Sequence, residues 1–384
     1  MNTYRVTCLT PTLVGSGGHL APIDYMIWRD QVNVLDHARI VRMWSRSPRL
    51  ESYLAQVRRA ERLDFADWGG LAQNFAGRRI PLEDASLTPL IEKTRAEQLF
   101  IPTFASQTGG LYLPGSSVKG ALRAAALLDR VQEGNWKQLE QQLSGDRPAR
   151  RPGEWLESTV MGSGGESRTR SLIVSDSNVS PNAATKVYLI RVATLVSRGG
   201  RTELGWKQSP RGTVEGKRSA DSTPWFAEMA VPGTEFAGVW SERGTLTHPN
   251  MLRALRWKHA IGTAHWLSVA NRSAGRILEV QKQWAESAGL ATVAATAGKL
   301  QDRLREIENN GVSCLLNIGW GGGMPGKAAF AGPGGPAQQA ALRLVPGLGD
   351  LLRTGLPVPK TRRIVFLRNY PATLPGWVQL DLID

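Results

Sequence analysis

The residues in this chain best suited to chemistry are those that suit an anion. The stretch Leu111-Tyr112-Leu113-Pro114-Gly115-Ser116-Ser117-Val118-Lys119-Gly120-Ala121-Leu122-Arg123 passes from an apolar run through a Pro-Gly turn into an alanine-rich pattern that predicts a helix to Leu128. Ser116 or Ser117 is placed to cap that helix. A helix start behind a Gly/Ser turn offers free backbone N–H groups and partial positive charge to a phosphate. Lys119 and Arg123, four residues apart, share one face of it and strengthen the preference. An ordinary strand-turn-helix with two solvated cations accounts for the same residues equally well.

A second group is Gly321-Gly322-Gly323-Met324-Pro325-Gly326-Lys327-Ala328, which fits the nucleotide phosphate-loop spacing at every position but the last. Ala328 has no oxygen for magnesium, and Pro325 removes a backbone N–H from the cradle, so nucleotide hydrolysis is not expected. His259 and His265 are six apart and do not share a helix face. No set of carboxylates is spaced for two metals.

The elements that must hold these groups follow from pattern. Tyr4 to Leu13 reads as a strand entering the loop Val14-Gly15-Ser16-Gly17-Gly18-His19, whose glycines permit close backbone approach. Two strands, 23–28 and 31–35, read as a hairpin turning at Arg29-Asp30, with Asp36 capping a following helix. Residues 49–75 are helical in pattern, and 145–170 reads as a Gly/Ser/Arg-rich surface insertion. Strands are predicted at 171–177 and 187–196, and the basic segment 198–218 reads as a flexible hairpin. Trp225–Val231 and Thr234–Trp240 read as a second hairpin across Pro232-Gly233. Helix is predicted from Pro249 to Ser287, broken near Asn271–Gly275, and again from Gly298 to Asn309. A strand through Cys314–Ile318 precedes the second glycine loop, and two strands close the chain.

Composition sets the class. The 384 residues can bury two cores. The net charge of +14, from 47 basic and 33 acidic residues, implies a polyanionic partner, either nucleic acid or an anionic surface. The 13 tryptophans against 8 phenylalanines supply faces that bases can stack on, although core packing is their commoner use. No run approaches the ~20 apolar residues of a membrane helix, and the first residues lack the apolar core of a signal peptide. Two cysteines, Cys8 and Cys314, make neither a disulfide framework nor a zinc cluster. The expected compartment is the cytoplasm.

The Leu-Pro-Gly-Ser-Ser-Val-Lys-Gly-Ala-Leu-Arg stretch resembles the signature of the RAMP superfamily, the RNA-binding proteins of CRISPR effector complexes. Leu9-Thr10-Pro11, Gly15-Ser16-Gly17 and Pro22-Ile23-Asp24-Tyr25 are similar to the start of the Csm-type (type III-A) subunit near the 3′ end of the guide RNA. The closing Pro359-Lys360-Thr361-Arg362 and Gly376-Trp377-Val378 also resemble that family. The resemblance implies an α+β fold of two ferredoxin-like (RRM-like) domains with glycine-rich loops and helical or loop insertions. They are expected at 1–200 and 201–384, the second carrying a helical insertion. It further implies a structural subunit that binds guide RNA (crRNA) and caps the 3′ side, supporting crRNA maturation and antiviral interference without a cofactor or metal. RNA-binding residues on this basis are Gly15, Ser16, Gly17, Gly18, Ser116, Ser117, Lys119, Arg123, Trp320, Gly321, Gly322, Gly323, Lys327 and Arg362. Expected partners are crRNA, target RNA, the adjacent repeated backbone subunit, the small subunit and host nucleases that mature the 3′ end, with no membrane. Two alternatives stay open. One is a metal-independent endoribonuclease acting on guide precursor, with His19 as weak catalytic candidate; the other is a RAMP subunit of another type III complex.

Overall fold

The structure is a computed structural model that describes residues 2–59, 63, 74–181, 184–208, 215–326 and 334–383. Its first strand, Asn2–Cys8, does not lie at an edge. It sits inside a five-stranded antiparallel sheet ordered Ser313–Asn317, Trp377–Ile383, Asn2–Cys8, Glu235–Glu242, Leu172–Ser177. Val6 stands opposite Phe236 on one side and Leu380 on the other. Tyr4, Val6, Cys8, Cys314, Leu316 and Leu380 therefore share a face. That face is covered by Val118, Leu122 and Ala126 of helix Gly115–Arg130 and by Trp266, Leu267 and Ala270 of helix Thr263–Ser287.

The second sheet is built on the long strand Thr185–Arg198. Arg201–Lys207 and Trp225–Ala230 flank successive halves of one edge, and Thr361–Leu367 takes the other, followed by Tyr370–Thr373. Val187, Leu189, Phe226 and Phe366 face Trp284 and Ala285 of the long helix and Val293 and Ala294 of helix Ala291–Ile307. The two sheets also meet directly. Val6, Phe236 and Val378 of the first share a core with Tyr188, Met229 and Val365 of the second, and Phe104 stacks on Phe236 at 5.3 Å.

Several expectations change against this architecture. The division expected near residue 200 falls at Gly199-Gly200, inside a hairpin whose flanking residues Arg198 and Arg201 are paired. Each sheet instead joins segments from both sides of that point, because the first strand pairs with the last. Trp225–Ala230 and Glu235–Glu242 are not a hairpin. The chain crosses from one sheet to the other at Pro232-Gly233, since the first strand and Thr185–Arg198 each offer a longer ladder than the local turn. The segment 145–170 is not merely a surface insertion, for it folds into helix Pro152–Met161, which buries Leu156 and Met161 in the first core. The basic segment is ordered as a strand pair up to Lys207, and residues 209–214, with Arg211, lie outside the described residues.

The helix Thr263–Ser287 is continuous through Asn271 and Gly275, and the break comes before it, between Ala254 and Thr263. Asn271 reads as a helix breaker because its carboxamide competes for backbone groups. Here that carboxamide serves a neighbouring strand. Its Nδ2 donates to the Ser313 carbonyl at 3.0 Å and its Oδ1 accepts from the Leu315 N–H at 3.0 Å. Strand Ser313–Asn317 is the edge of its sheet, and Asn271 closes that edge against further pairing.

A smaller lobe precedes these sheets. Tyr25–Trp28 and Gln31–Leu35 form the expected hairpin, with Arg29 and Asp30 at φ 49° and 55°, and Ala76–Pro81 adds a third strand. Asp36 caps helix His37–Trp44 by accepting from the Arg39 N–H at 2.9 Å. Helix Arg49–Arg59 follows, and most of the remaining expected helix to 75 lies outside the described residues.

Replacing Asn271 by alanine strands a buried carbonyl and a buried N–H, and should cost about 3 kcal/mol. Urea denaturation would show the midpoint falling, while Ser268→Ala on the exposed side of the same helix leaves it in place. Equal midpoints for Asn271→Ala and the wild type would mean the edge does not depend on this side chain.

Candidate nucleic-acid interface

Three loops and one helix converge on a cleft of about 780 Å³. The loop leaving the first strand is clasped to the second glycine loop by its backbone: the Trp320 N–H donates to the Leu13 carbonyl at 2.7 Å. The residue before it, Gly319, has φ +72°, and a Cβ there would stand 2.1 Å from that same carbonyl oxygen. Only glycine permits this approach. On its other side the first loop is held by the segment 100–105. The Thr103 N–H donates to the Gly18 carbonyl and the Ala105 N–H to the Val14 carbonyl, at 3.2 and 2.8 Å. Gly15, Gly17, Gly18 and His19 thus line one wall, Trp320 and Trp225 another, and Ser117, Gly120, Ala121 and Arg123 of the signature helix the third.

The signature helix is held in place differently from the sequence expectation. Neither Ser116 nor Ser117 caps it; the residue at the cap position is Pro114, and both serines lie inside the first turn. The Gly115 N–H donates to the Asp176 carboxylate at 2.8 Å, so the helix start is already met by a negative charge. Gly115 matters less for turning than for proximity: a Cβ there would lie 2.2 Å from the Ser175 carbonyl oxygen. Lys119 does not reach the cleft. Its ammonium donates to the Leu172 carbonyl at 2.6 Å, and burial, with Arg243 nearby, pulls its pKa below the usual lysine value. Arg123 is exposed at the cleft lip, with its Nε 2.9 Å from Glu157. Of the two cations read as a pair, one ties the helix to a strand and one faces the opening.

Beside the cleft lies a hollow of about 420 Å³ lined by Gly321, Gly322, Gly323, Thr361 and Arg363, with Trp225 shared between the two. Arg362, named from the sequence among the RNA contacts, reaches this hollow but is 6% exposed. It donates to the Pro359 and Thr361 carbonyls and lies over Trp284 at 5.2 Å, and burial pushes its pKa down to about 10. Arg363 points to the other face of the strand, as the period of two requires. Its guanidinium sits 4.7 Å over the Trp320 ring, which lies 6.5 Å from Trp225. Trp320 is half-buried and supports Arg363 as well as the cleft wall. Lys327 lies outside the described residues.

His19 is exposed, pairs with Pro102 in a short strand, and meets Phe100 edge-on at 5.3 Å. Asp24 holds the small lobe together, accepting from the Ala21 N–H at 2.7 Å and lying 3.4 Å from the His37 ring. Among the described residues no group of three His, Cys, Asp or Glu stands close enough to hold a metal, and no helix is long and apolar enough to cross a membrane. Trp225, Thr103, Phe100 and Asn317 line the cleft and were not singled out in the sequence. They enter it through the sheet crossover and the loop pairing, which leave no local signal.

The family model described as RAMP superfamily matches residues 5–257. Among solved structures, one chain of the cryo-EM structure of a Csm–crRNA–target RNA ternary complex of a type III-A CRISPR-Cas system is 18% identical. It superposes with a TM-score of 0.63, covering 100% of both chains. The crystal structure of T.onnurineus Csm5 is 16% identical at the same TM-score, covering 97% of this chain and 99% of that one. Both likenesses are of fold. No curated protein matches the chain in sequence.

The different duties of Lys119 and Arg123 give a stability test. Lys119→Ala removes a hydrogen bond that joins helix to strand and should destabilise by about 1 kcal/mol. Arg123→Ala removes only an exposed ion pair and should change stability by less than about 0.5 kcal/mol. Thermal denaturation of the two variants would show the reverse order if Lys119 were the solvated one.

Proposed function

Since the chain belongs to the RAMP superfamily, we propose that it is a guide-RNA-binding structural subunit of a type III-A CRISPR effector complex, capping the side of the guide's 3′ end. The observation that carries this reading is the cleft itself. Two glycine loops more than three hundred residues apart are clasped backbone to backbone, and with the signature helix they enclose a trough of about 780 Å³. Glycine backbone can lie close to a phosphodiester chain, and such contacts hold RNA without reading its bases. The fold likeness to a chain of a complex that contains crRNA and target RNA supports the same substrate class.

On this reading each sheet with its covering helices is one ferredoxin-like unit, assembled from distant parts of the chain. The partners are crRNA, target RNA, the adjacent repeated backbone subunit and the small subunit, in the cytoplasm, with host nucleases maturing the 3′ end. Binding rather than cleavage is the task. His19 lines the cleft, so cleavage has a direct test. Labelled guide precursor incubated with the protein without metal should stay intact. Cleavage that disappears in His19→Ala would replace this reading with a ribonuclease.

The mode of binding is tested by salt. For a single strand, log affinity falls with log salt by about 0.7 per phosphate contacted. Arg123→Ala should flatten the slope for single-stranded RNA by about 0.7, equally for unrelated sequences. Lys119→Ala should leave the slope unchanged, because its ammonium is committed to a carbonyl. A slope unaffected by Arg123→Ala would remove the cleft from consideration as the RNA site, and sequence-dependent losses would mean that bases are read.

A further inference from the structure

The surplus of fourteen positive charges is not concentrated in the cleft, whose described lining carries Arg123 as its one formal cation. It gathers elsewhere. From Arg243 to Leu278 the sequence contains no Asp or Glu, yet it holds Arg243, Arg253, Arg256, Lys258, Arg272 and Arg276. On helix Thr263–Ser287 the exposed residues His265, Ser268, Arg272 and Arg276 recur at helical spacing and form one stripe, ending at Glu279.

The C-terminal end of the signature helix lies against this stripe. Arg272 contacts Asp129 at 2.8 Å and Ser268 at 2.7 Å, and Arg130 is the next residue. Arg168 adds a further cation, resting 5.8 Å over the ring of Trp257, whose indole N–H is fixed to the Glu166 carbonyl at 2.9 Å. The charges feel one another. Burial, followed by Arg272, lowers the His265 pKa, with Arg130 and His259 acting in the same direction and Asp129 opposing; burial and then Arg130 lower that of Arg168. Asp129 lies among these cations and is already engaged by Arg272, while Glu279 at the end of the stripe accepts from Gln283 and Gln301.

We propose that this face, built from Arg130, Arg168, His259, His265, Arg272 and Arg276, is a second binding surface for single-stranded RNA, separate from the cleft. Crowded cations with one engaged carboxylate gain most from a polyanion, which replaces mutual repulsion with attraction. Trp257 and Trp266 are buried, so the stripe presents neither as the aromatic anchor that a protein partner needs. For the same reason it offers no base-stacking platform, so its contacts are with phosphates and are indifferent to sequence. Arg130 lies thirteen residues beyond Ser117 on one helix, about 20 Å along its axis. A second strand can therefore occupy the face while the cleft is filled. The identity of the polyanion as RNA rests on the proposed function; the existence of the surface does not.

The test uses the full chain and a labelled single-stranded oligoribonucleotide of mixed sequence, with stoichiometry and salt slope read by fluorescence anisotropy. The wild type should bind two oligonucleotides at low salt. Arg130→Glu combined with Arg276→Glu should leave one site, still weakened by Arg123→Ala. Arg276→Gln alone, a gentler change, should flatten the slope of the second site by about 0.7. A single site in the wild type, or two undiminished sites in either variant, would overturn the proposal and leave the cleft reading standing. A second site that survives while the first ignores Arg123→Ala would do the opposite. A polyglutamate peptide that binds this face more tightly than the oligonucleotide at equal charge concentration would show an acidic protein, not RNA, as its partner.

Discussion

The backbone contact between the two glycine loops organises the rest of the molecule. Asn2–Cys8 lies between Glu235–Glu242 and Trp377–Ile383, so the chain leaving the first strand emerges beside the last. From there a short ladder of backbone bonds runs outward. The Leu9 and Thr10 N–H groups donate to the Trp377 carbonyl, Gly376 to Pro11, Ile318 to Gly376, and Trp320 to Leu13. Two glycines at this ladder have no room for a side chain: a Cβ at Gly376 would stand 2.4 Å from the Ile318 carbonyl oxygen, and one at Gly319 2.1 Å from that of Leu13. Without this ladder there would be two loops; with it there is one walled cleft.

Polar groups inside the structure are placed to join elements rather than to react. Glu228 is fully buried, pairs with Arg78 of the small lobe, and accepts from Thr185 at 2.7 Å and from the Phe104 N–H at 3.4 Å. A buried carboxylate is tolerable only when so fully engaged, and the engagement fixes the small lobe to the second sheet. Asn271 does similar work for an edge strand, and Lys119 for the signature helix. Cys8 and Cys314 are buried, and burial pushes the Cys8 thiol up to about 12, far from reactivity.

Charge and shape are separated in this protein. The cleft is lined by glycine loops, by neutral side chains that include two tryptophans, by His19 and by one exposed arginine, while the clustered cations lie at the far end of the signature helix. A trough with few fixed charges and many backbone edges suits a strand that must be held in one path. A basic face without stacking surfaces suits looser, salt-sensitive contact. The signature helix spans both, with Ser117 at the cleft and Arg130 at the basic face.

What the sequence determined was everything settled within a few residues. The Arg29-Asp30 turn, the Asp36 cap, the signature helix and the two glycine loops all follow from local chemistry: left-handed backbone, a carboxylate one turn from an N–H, or the absence of a Cβ. What only the tertiary structure decided was partnership at long range. The sequence offered Ser116 and Ser117 as caps, but the helix start is met by Asp176, from a strand far along the chain. It offered Arg362 as an RNA contact, and the facing of one strand put that residue over Trp284 in the interior and its neighbour Arg363 over the half-buried Trp320. It offered Pro232-Gly233 as a hairpin turn, yet the two flanking strands found longer ladders in different sheets. A turn or cap is an interaction between near neighbours and leaves its mark in the local sequence. Strand pairing and burial are won by summed contacts between residues hundreds apart, and no local pattern records which partner wins.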